Sequence, residues 1–290
     1  MKTNHNSKSS YYHVYTKGLE KDTIFREMAD YIVGMNYVAL VHYKSALAIL
    51  AFVLMSNHFH FVVYGRKTDV HHFIDLYKGL ISRYIRNKYG DRKLLRRVKT
   101  GIARIDDSDA RLVEIIAYVL NNPVKAGVNI IPQCYQWGTG NCYFSNIDIN
   151  SICTPLGQFN RRRQISLLRS NVKLPDNYLI NSYGFVEPCC FVDSKQVERL
   201  FGRARNMEYH LSVSSKRFRD DSQIVFSDSI LLIALKELLE KKYDSMSVSE
   251  LEEDSLKSVL KLLKRQFNCP PKQLARLCGL SLSRVHALLE

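Results

Sequence analysis

The first half of the chain alternates between strand-like and helix-like patterns of apolar positions. Residues 11–16, 47–54 and 58–64 are rich in β-branched and aromatic side chains and predict three strands, the last two joined by a polar turn at Ser56-Asn57. After Thr23, apolar residues recur at helical spacing, which predicts a helix capped by that residue. A strand, a helix, a strand and a hairpin strand open a ferredoxin-like α+β sandwich built on an antiparallel sheet.

Two further helices are predicted after these strands. Residues 69–89 carry an apolar stripe at helical spacing, and so do residues 110–121, which follow the capping sequence Asp107-Ser108-Asp109. Pro123 ends the second of these helices, because a proline disfavours helical geometry in the residue before it.

The pattern predicts three domains along the chain. Residues 1–150 form the α+β domain, residues 151–225 a basic linker and helical connector, and residues 226–290 a helical domain. Within the last, residues 272–286 have a helix-turn-helix rhythm with Gly279 at the turn, which predicts a DNA-binding module.

The charge of the chain favours an anionic partner. Lysine and arginine total 42 against 28 acidic residues, which gives a formal net charge of +14. Such an excess is typical of proteins that bind nucleic acid. A basic run along and after the 69–89 helix is either a solvated face or a track for a phosphate backbone, and we favour the track. The candidate DNA-binding residues are Lys78, Arg83, Arg86, Lys88, Arg92, Lys93, Arg96, Arg97 and Lys99, with Arg276 and Arg284 in the helix-turn-helix segment.

Cysteine usage and the N-terminus indicate a cytoplasmic protein. The seven cysteines form no C-x-x-C pair, so neither a disulfide framework nor a zinc finger fits, and a reducing compartment is expected. Residues 1–10 lack the apolar core of a signal peptide, and the apolar run 46–54 is too short to span a membrane.

Two histidines stand in the third strand at a spacing that suits a metal ion. Alternation places His58 and His60 on one face, while Phe59, Phe61 and Val63 point to the other and pack under the helices. Two imidazoles on the open face of a sheet can bind a divalent metal. The alternative is a sheet edge that carries two histidines without function.

The 110–121 helix carries a second candidate. Tyr118 lies in its last turn on a face shared with Glu114 and Asn122, beside the apolar stripe. A tyrosine in this position is either a nucleophile or a half-buried packing residue.

Taken together, these motifs resemble a known family. The sequence Met55-Ser56-Asn57-His58-Phe59-His60, followed by Tyr118-Val119-Leu120-Asn121-Asn122-Pro123-Val124-Lys125-Ala126-Gly127, is similar to the REP-associated, single-tyrosine transposases of the HUH nuclease class. The Tyr12-His13-Val14 strand and Tyr135-Gln136-Trp137 also fit. Gly138-Thr139-Gly140 departs from the family, in which a Ser-Ser pair is common after the tryptophan.

The resemblance implies a function and a set of site residues. His58, His60 and Asn122 would bind Mg²⁺ or Mn²⁺, with Glu114 as the competing third ligand. Tyr118 would be the nucleophile that cleaves and rejoins single-stranded DNA near hairpins or palindromic repeats, through a 5′-phosphotyrosine. Such proteins are monomers or homodimers. The phenolic oxygen suits this chemistry, because it can stay attached to phosphorus while a metal offsets the developing charge.

Two other functions are compatible with the sequence. The chain could be a DNA-binding regulator with a dormant HUH domain, or a metal-dependent hydrolase that uses a bound water. Every catalytic candidate lies before residue 130, so the segment from about Val225 is expected to be separable from metal-dependent nicking.

Overall fold

The computed structural model describes residues 8–16, 23–90, 95, 98–106, 108–129, 131–217, 226, 228–267 and 269–290. The chain divides into two compact units. The first contains the described residues of 1–17, 29–55 and 59–219, and the second those of 18–28, 56–58 and 220–290.

The first unit is an α+β domain. Its elements are β1 (Ser10–Thr16), α1 (Met28–Tyr43), β2 (Ala48–Leu54), β3 (Phe59–Gly65), α2 (Lys67–Tyr89), β4 (Thr100–Arg104), α3 (Asp109–Leu120), α4 (Asn122–Lys125), α5 (Ile149–Ile152), β5 (Thr154–Pro155), α6 (Arg161–Leu168), β6 (Leu179–Ile180), α7 (Ser194–Phe201) and α8 (Ala204–Arg217). The main sheet has the order β2-β3-β1-β4, and every neighbouring pair is antiparallel. The predicted antiparallel α+β architecture is confirmed.

Helices cover both faces of this sheet. Phe61 packs against Phe73 and Tyr77 of α2, with ring centroids 5.3 and 5.5 Å apart. His60 points to the opposite face, where its ring meets Tyr118 of α3. The apolar side of β3 was therefore predicted correctly, but the expectation that the histidine face is open was wrong, because α3 packs across β2 and β3 there.

The outer edge of β2 is covered by the chain itself. Leu54 donates from its backbone N–H to the carbonyl of Trp137 at 2.8 Å, and the backbone N–H of Thr139 donates to the carbonyl of Phe52 at 3.1 Å. A Cβ on Gly138 would lie 2.8 Å from the Phe52 carbonyl oxygen, so glycine is required where this segment presses on the strand. That close approach gives a physical reason for the departure at Gly138-Thr139-Gly140.

Asn36 joins α1 to the last turn of α6 and to the segment that follows it. Its buried side chain donates to the carbonyls of Leu167 and Gly184, both at 3.2 Å, and accepts from the N–H of Val186 at 2.9 Å. The described residues of the predicted 151–225 connector are thus folded into the first unit and do not form a separate linker.

A buried carboxylate joins α1 to α2. Asp30 accepts from Tyr84 and Tyr89, both at 2.7 Å, and from the ammonium of Lys88 at 2.5 Å. Its side chain is fully buried, and the three donors together satisfy its charge.

The second unit is helical in its C-terminal part. Its elements are α9 (Asp228–Tyr243), α10 (Glu253–Phe267), α11 (Pro271–Cys278) and α12 (Leu282–Leu289). Leucines and valines from all four helices form its core. Gly279 ends α11 in the left-handed conformation (φ 65°), and Ser281 caps α12 by accepting from the N–H of Arg284 at 3.2 Å. Two short helices joined by a turn agree with the predicted rhythm, while its role in DNA binding stays a prediction.

The same unit includes two short pieces from the N-terminal half. The backbone N–H groups of Ile24 and Phe25 donate to the carbonyl of Ser56 at 2.6 and 2.9 Å. The prediction that Thr23 caps a helix was wrong, because these residues bond to a distant turn and α1 begins at Met28. Among the described residues, no helix combines the length and apolar character needed to cross a membrane.

Candidate active site

Strand pairing places two histidines side by side in the first unit. Tyr15 lies opposite His60 in the β1–β3 register, and His13 lies two residues earlier on the same face. Nε2 of His13 is 3.0 Å from Nδ1 of His60, and the two rings are 5.2 Å apart at an angle of 14°. The pair is therefore hydrogen-bonded and nearly parallel.

Tyr118 reaches this pair from the last turn of α3. Its ring meets His60 edge-on with centroids 5.6 Å apart, and it meets His13 in the same manner at 5.8 Å. His60 is 3% exposed and Tyr118 is 9% exposed. The predicted ligand His60 and the predicted nucleophile Tyr118 are thus in contact, although they come from motifs far apart in the sequence.

Helix α3 is held at both ends. At its start the Ser108 side chain accepts from the N–H of Arg111 at 3.3 Å, which is an N-cap. At its end the buried amide of Asn121 donates to the carbonyl of Leu211 and the hydroxyl of Ser214, both on α8. The turn that carries Tyr118 is fixed by these bonds.

Lys125 adds positive charge beside the tyrosine. It ends the short helix α4, and its ammonium lies 4.6 Å from the centroid of the Tyr118 ring. A cation over an aromatic face is attracted by the ring quadrupole, and the same charge favours any anion that approaches the phenol.

Asn122 and Glu114 are the two candidates for a third metal ligand. The buried amide of Asn122 donates to the carbonyls of Tyr118 and Val119 at 3.0 and 3.3 Å, so it also terminates α3. Only its side-chain oxygen would be a ligand. Glu114 forms an ion pair with Arg111 at 2.9 Å, near the surface.

His58 precedes β3 by one residue and belongs to the second unit together with Ser56. It is 1% exposed, and its Nδ1 lies 2.7 Å from the side-chain oxygen of Asn57. An Nδ1 hydrogen atom that bonds to this oxygen leaves Nε2 as the ring atom that would bind a metal.

The predicted ligands are compatible with a divalent ion in the chemistry of their donor atoms. In the part of the chain that the structure describes, no three His, Cys, Asp or Glu side chains are grouped to hold a metal ion. A hydrogen bond between two ring nitrogens needs one acceptor, so at least one of His13 and His60 is neutral, as a metal ligand must be. Two imidazoles and an amide oxygen suit Mn²⁺ or Mg²⁺ whose remaining positions are filled by water and phosphate oxygens.

Two lysines of the predicted basic track bond to other groups of the protein. Lys78 donates to the carbonyl of Val98 at 3.2 Å and to the hydroxyl of Thr100 at 2.9 Å. Lys88 pairs with Asp30 at 2.5 Å. Phosphate contacts by these two lysines would require these bonds to break.

The other basic candidates are placed differently. Arg83, Arg86 and Lys99 are exposed, while Arg92, Lys93, Arg96 and Arg97 lie outside the described residues. In the second unit, Arg276 forms an ion pair with Asp228 at 3.0 Å and donates to Thr23 at 3.0 Å. Arg284 pairs with Glu253 at 2.7 Å on the surface.

Sequence reasoning missed three members of the site. His13, Tyr15 and Lys125 received no role, although the first two alternate along a predicted strand. Alternation along each strand showed which of its residues share a face. The sequence did not show that these two strands pair with each other, so the contact between their residues was not predicted. Lys125 gave no separate signal.

Comparison with known proteins finds a similarity in the N-terminal part of the chain. Residues 6–99, which include His13, His58 and His60, match the family model described as "Transposase IS200 like". A solved structure of a REP-associated tyrosine transposase bound to a REP hairpin is similar to 47% of this chain and 78% of that one, at 13% identity and a TM-score of 0.36. A search of curated proteins gives no match.

The first unit is an α+β domain that brings a histidine pair and a helical tyrosine together on one face of an antiparallel sheet. Residues 6–99 are similar to the IS200-like transposases, which agrees with the resemblance to single-tyrosine transposases predicted from the sequence. The match supports DNA processing of the transposase type. Tyr118 lies beyond the matched residues.

Proposed function

We propose that this chain is a metal-dependent single-strand DNA endonuclease and strand transferase that acts near hairpin or palindromic repeats. Its intermediate would be a 5′-phosphotyrosine on Tyr118. The observation that carries the proposal is the edge-on contact of Tyr118 with His60, with ring centroids 5.6 Å apart, and His60 lies in the segment that matches IS200-like transposases. In this proposal the chain acts on DNA in the cytoplasm, as a monomer or a homodimer.

The reaction is a balanced exchange of phosphate esters. The Tyr118 hydroxyl gives up its proton, and its oxygen attacks phosphorus while the bond from phosphorus to the 3′ oxygen breaks. The leaving oxygen takes up a proton and becomes a 3′-OH. A second 3′-OH then attacks the phosphotyrosine, which restores Tyr118 and forms a new phosphodiester. One ester bond replaces another in each step, so no ATP is consumed.

The site residues divide the work of this exchange. His58, His60 and Asn122 would hold Mg²⁺ or Mn²⁺, which supplies Lewis-acid polarisation of the non-bridging phosphate oxygens when bound. Lys125, 4.6 Å from the Tyr118 ring, favours the phenolate and the approaching phosphate by its charge.

The exposed basic residues supply the backbone contacts in this proposal. Arg83 and Arg86 lie on α2, on the sheet face opposite α3. A DNA strand that contacts these two arginines must pass around an edge of the β-sheet before it reaches Tyr118. Backbone contacts of this kind fix position and are weakened by salt.

Substitution of Tyr118 by phenylalanine tests the nucleophile. Labelled single-stranded hairpin DNA from the flanks of the gene is incubated with and without Mn²⁺ and resolved on a denaturing gel. The wild-type chain should give a metal-dependent protein–DNA adduct, and Tyr118→Phe should lower adduct and cleavage at least about 1,000-fold with nearly unchanged melting temperature, because only one oxygen atom is removed. Tyr64→Phe, at an exposed tyrosine of β3, is the control.

The alternatives predict other outcomes. Normal cleavage by Tyr118→Phe would show that another tyrosine is the nucleophile. Cleavage without an adduct would identify a hydrolase that uses water. Binding of duplex DNA without any cleavage would identify a regulator with a dormant domain.

A further inference from the structure

The contact between His13 and His60 is more specific than ordinary strand packing. The hydrogen-bonded nitrogens are Nε2 of His13 and Nδ1 of His60, at 3.0 Å. One nitrogen must donate and the other must accept. The direction of this bond therefore decides which nitrogen of His60 carries its hydrogen atom.

Metal binding through Nε2 of His60 is compatible with only one direction. A ligating nitrogen needs its lone pair, so the hydrogen atom of neutral His60 must be on Nδ1. Nδ1 of His60 then donates, and Nε2 of His13 accepts. Bonds of this kind, made by the second ring nitrogen, fix the tautomer and the rotation of a metal-binding imidazole.

His13 is itself held from two sides. Its ring lies 4.9 Å from Tyr15 on β1 and 5.8 Å from Tyr118 on α3. Tyr15 in turn extends over Gly101 of β4, where an added Cβ would lie 2.4 Å from its ring. The glycine leaves space for the tyrosine ring, which supports one side of His13.

We propose that His13 is a positioning residue for the metal site, because it accepts from Nδ1 of His60, keeps Nε2 available as a ligand, and packs against the nucleophile. This inference rests on the proposed function. It assigns a role to a residue that lies outside the predicted ligand set of His58, His60 and Asn122. The same ring contacts His60 and Tyr118, so it also keeps the ligand and the nucleophile at a fixed spacing.

Two polar substitutions of His13 distinguish its role as a hydrogen-bond acceptor from the space that its ring fills. The amide oxygen of glutamine can reach the place of Nε2 in histidine, whereas the oxygen of asparagine is shorter by one methylene. Direct Mn²⁺ binding to the full chain is measured by calorimetry, without DNA. His13→Asn should weaken Mn²⁺ binding about 10- to 100-fold, and His13→Gln should restore it to within about 3-fold of wild type. His71→Gln, at an exposed position of α2, is the control.

A second measurement guards against a purely structural effect. The Mn²⁺ concentration for half-maximal nicking should rise in His13→Asn by the same factor as the binding constant, while the melting temperatures of both variants stay alike. If both variants bind Mn²⁺ as tightly as wild type, His13 has no positioning role. If both are equally weak, the imidazole itself is needed and the acceptor role is wrong.

The failure of this inference can be told apart from that of the proposed function. His60→Ala is measured in the same series. If wild type binds no Mn²⁺, or if His60→Ala binds it equally well, the proposed metal site itself fails. If His60→Ala loses binding while His13→Asn keeps it, only the role of His13 is overturned.

Discussion

Asn122 is a single residue with two possible duties. Its amide nitrogen ends α3 by donating to the carbonyls of Tyr118 and Val119. Its amide oxygen is the predicted third metal ligand. The two duties use different atoms, so two substitutions can separate them.

We expect Asn122→Ala to raise the Mn²⁺ concentration for half-maximal nicking and to lower stability by about 1 kcal/mol, because both the ligand oxygen and the helix-ending donor are lost. Asn122→Asp should lower stability by a similar amount. It should leave the Mn²⁺ concentration for half-maximal nicking near the wild-type value, since it retains the ligand oxygen. Nicking at graded Mn²⁺ and urea unfolding measure the two effects. If Glu114→Ala alone raises the Mn²⁺ requirement, the third ligand is Glu114.

At the residue scale, the sequence showed part of the site and not the rest. His60 and Tyr118 were identifiable because each stands in a distinctive motif. His13 was not, because its partner is 47 positions away and only the strand register brings the rings together. Asp30 gave no signal either, since its three partners lie on another helix.

At the scale of elements, α2 combines packing and surface roles on neighbouring turns. Its buried face contacts the sheet, its Lys88 pairs with Asp30 of α1, and its Arg83 and Arg86 are exposed. The predicted phosphate track thus contains residues with different duties, which substitutions on one helix can distinguish.

Lys88→Met should lower the free energy of unfolding by about 2 kcal/mol or more, because the buried Asp30 carboxylate loses its charged partner. Arg86→Ala should leave stability within about 0.5 kcal/mol and reduce the salt dependence of single-strand DNA binding by about one phosphate contact. Urea unfolding and DNA titrations at several salt concentrations measure both. If Lys88→Met reduces the salt dependence of DNA binding and leaves stability unchanged, Lys88 contacts the phosphate backbone as the sequence predicted.

The same cluster predicts loss of stability at high pH. Burial raises the pKa of Tyr84 to about 12, opposed by the hydrogen bond from Lys88 and assisted by the bond to Asp30. The unfolded chain has an ordinary tyrosine pKa of about 10, so the protonated form of Tyr84 is favoured by folding. This contribution to stability is complete below pH 10 and is lost as the pH rises toward 12. Urea midpoints should therefore fall between pH 10 and 12, less steeply in Tyr84→Phe than in wild type or in the control Tyr64→Phe. Equal slopes in all three would contradict this account.

Element boundaries were predictable where the pattern is local. Strands β1, β2 and β3 and helices α2 and α3 lie within a few residues of their predicted bounds, because alternation, helical spacing and caps are sequence features, whereas β4 was not predicted. The elements of residues 151–191 were not predicted either, because this segment is ordered by distant bonds such as those of Asn36. The start of α1 was misjudged for the same reason, since Ile24 and Phe25 bond to Ser56.

At the scale of the whole molecule, the second unit contains more than the predicted DNA-binding helices. Arg276 on α11 donates to the buried hydroxyl of Thr23, and the following residues Ile24 and Phe25 bond to Ser56. His58 belongs to this unit as well. Its helical part therefore supports the segment that carries a predicted metal ligand.

Arg276→Ala should weaken Mn²⁺ binding several-fold, because Thr23 loses its partner on α11, and should leave duplex binding nearly unchanged. Arg284→Ala, whose guanidinium is on the surface, should change DNA binding only. Calorimetry with Mn²⁺ and duplex titrations test this pair. Removal of residues 226–290 should then also impair metal-dependent nicking, in contrast to the expectation of separable domains. Full nicking by the truncated chain would show that the helical part acts in DNA recognition alone.

The covered edge of β2 limits how copies of this chain can associate. Residues 137–139 bond along β2, and the N–H of Asp193 donates to the carbonyl of Ile49 at 2.9 Å on the same strand. A second chain cannot add a strand where these backbone groups are already paired. Among the described residues the other border of the sheet is β4, so a homodimer formed by sheet extension there would place two copies of β4 side by side.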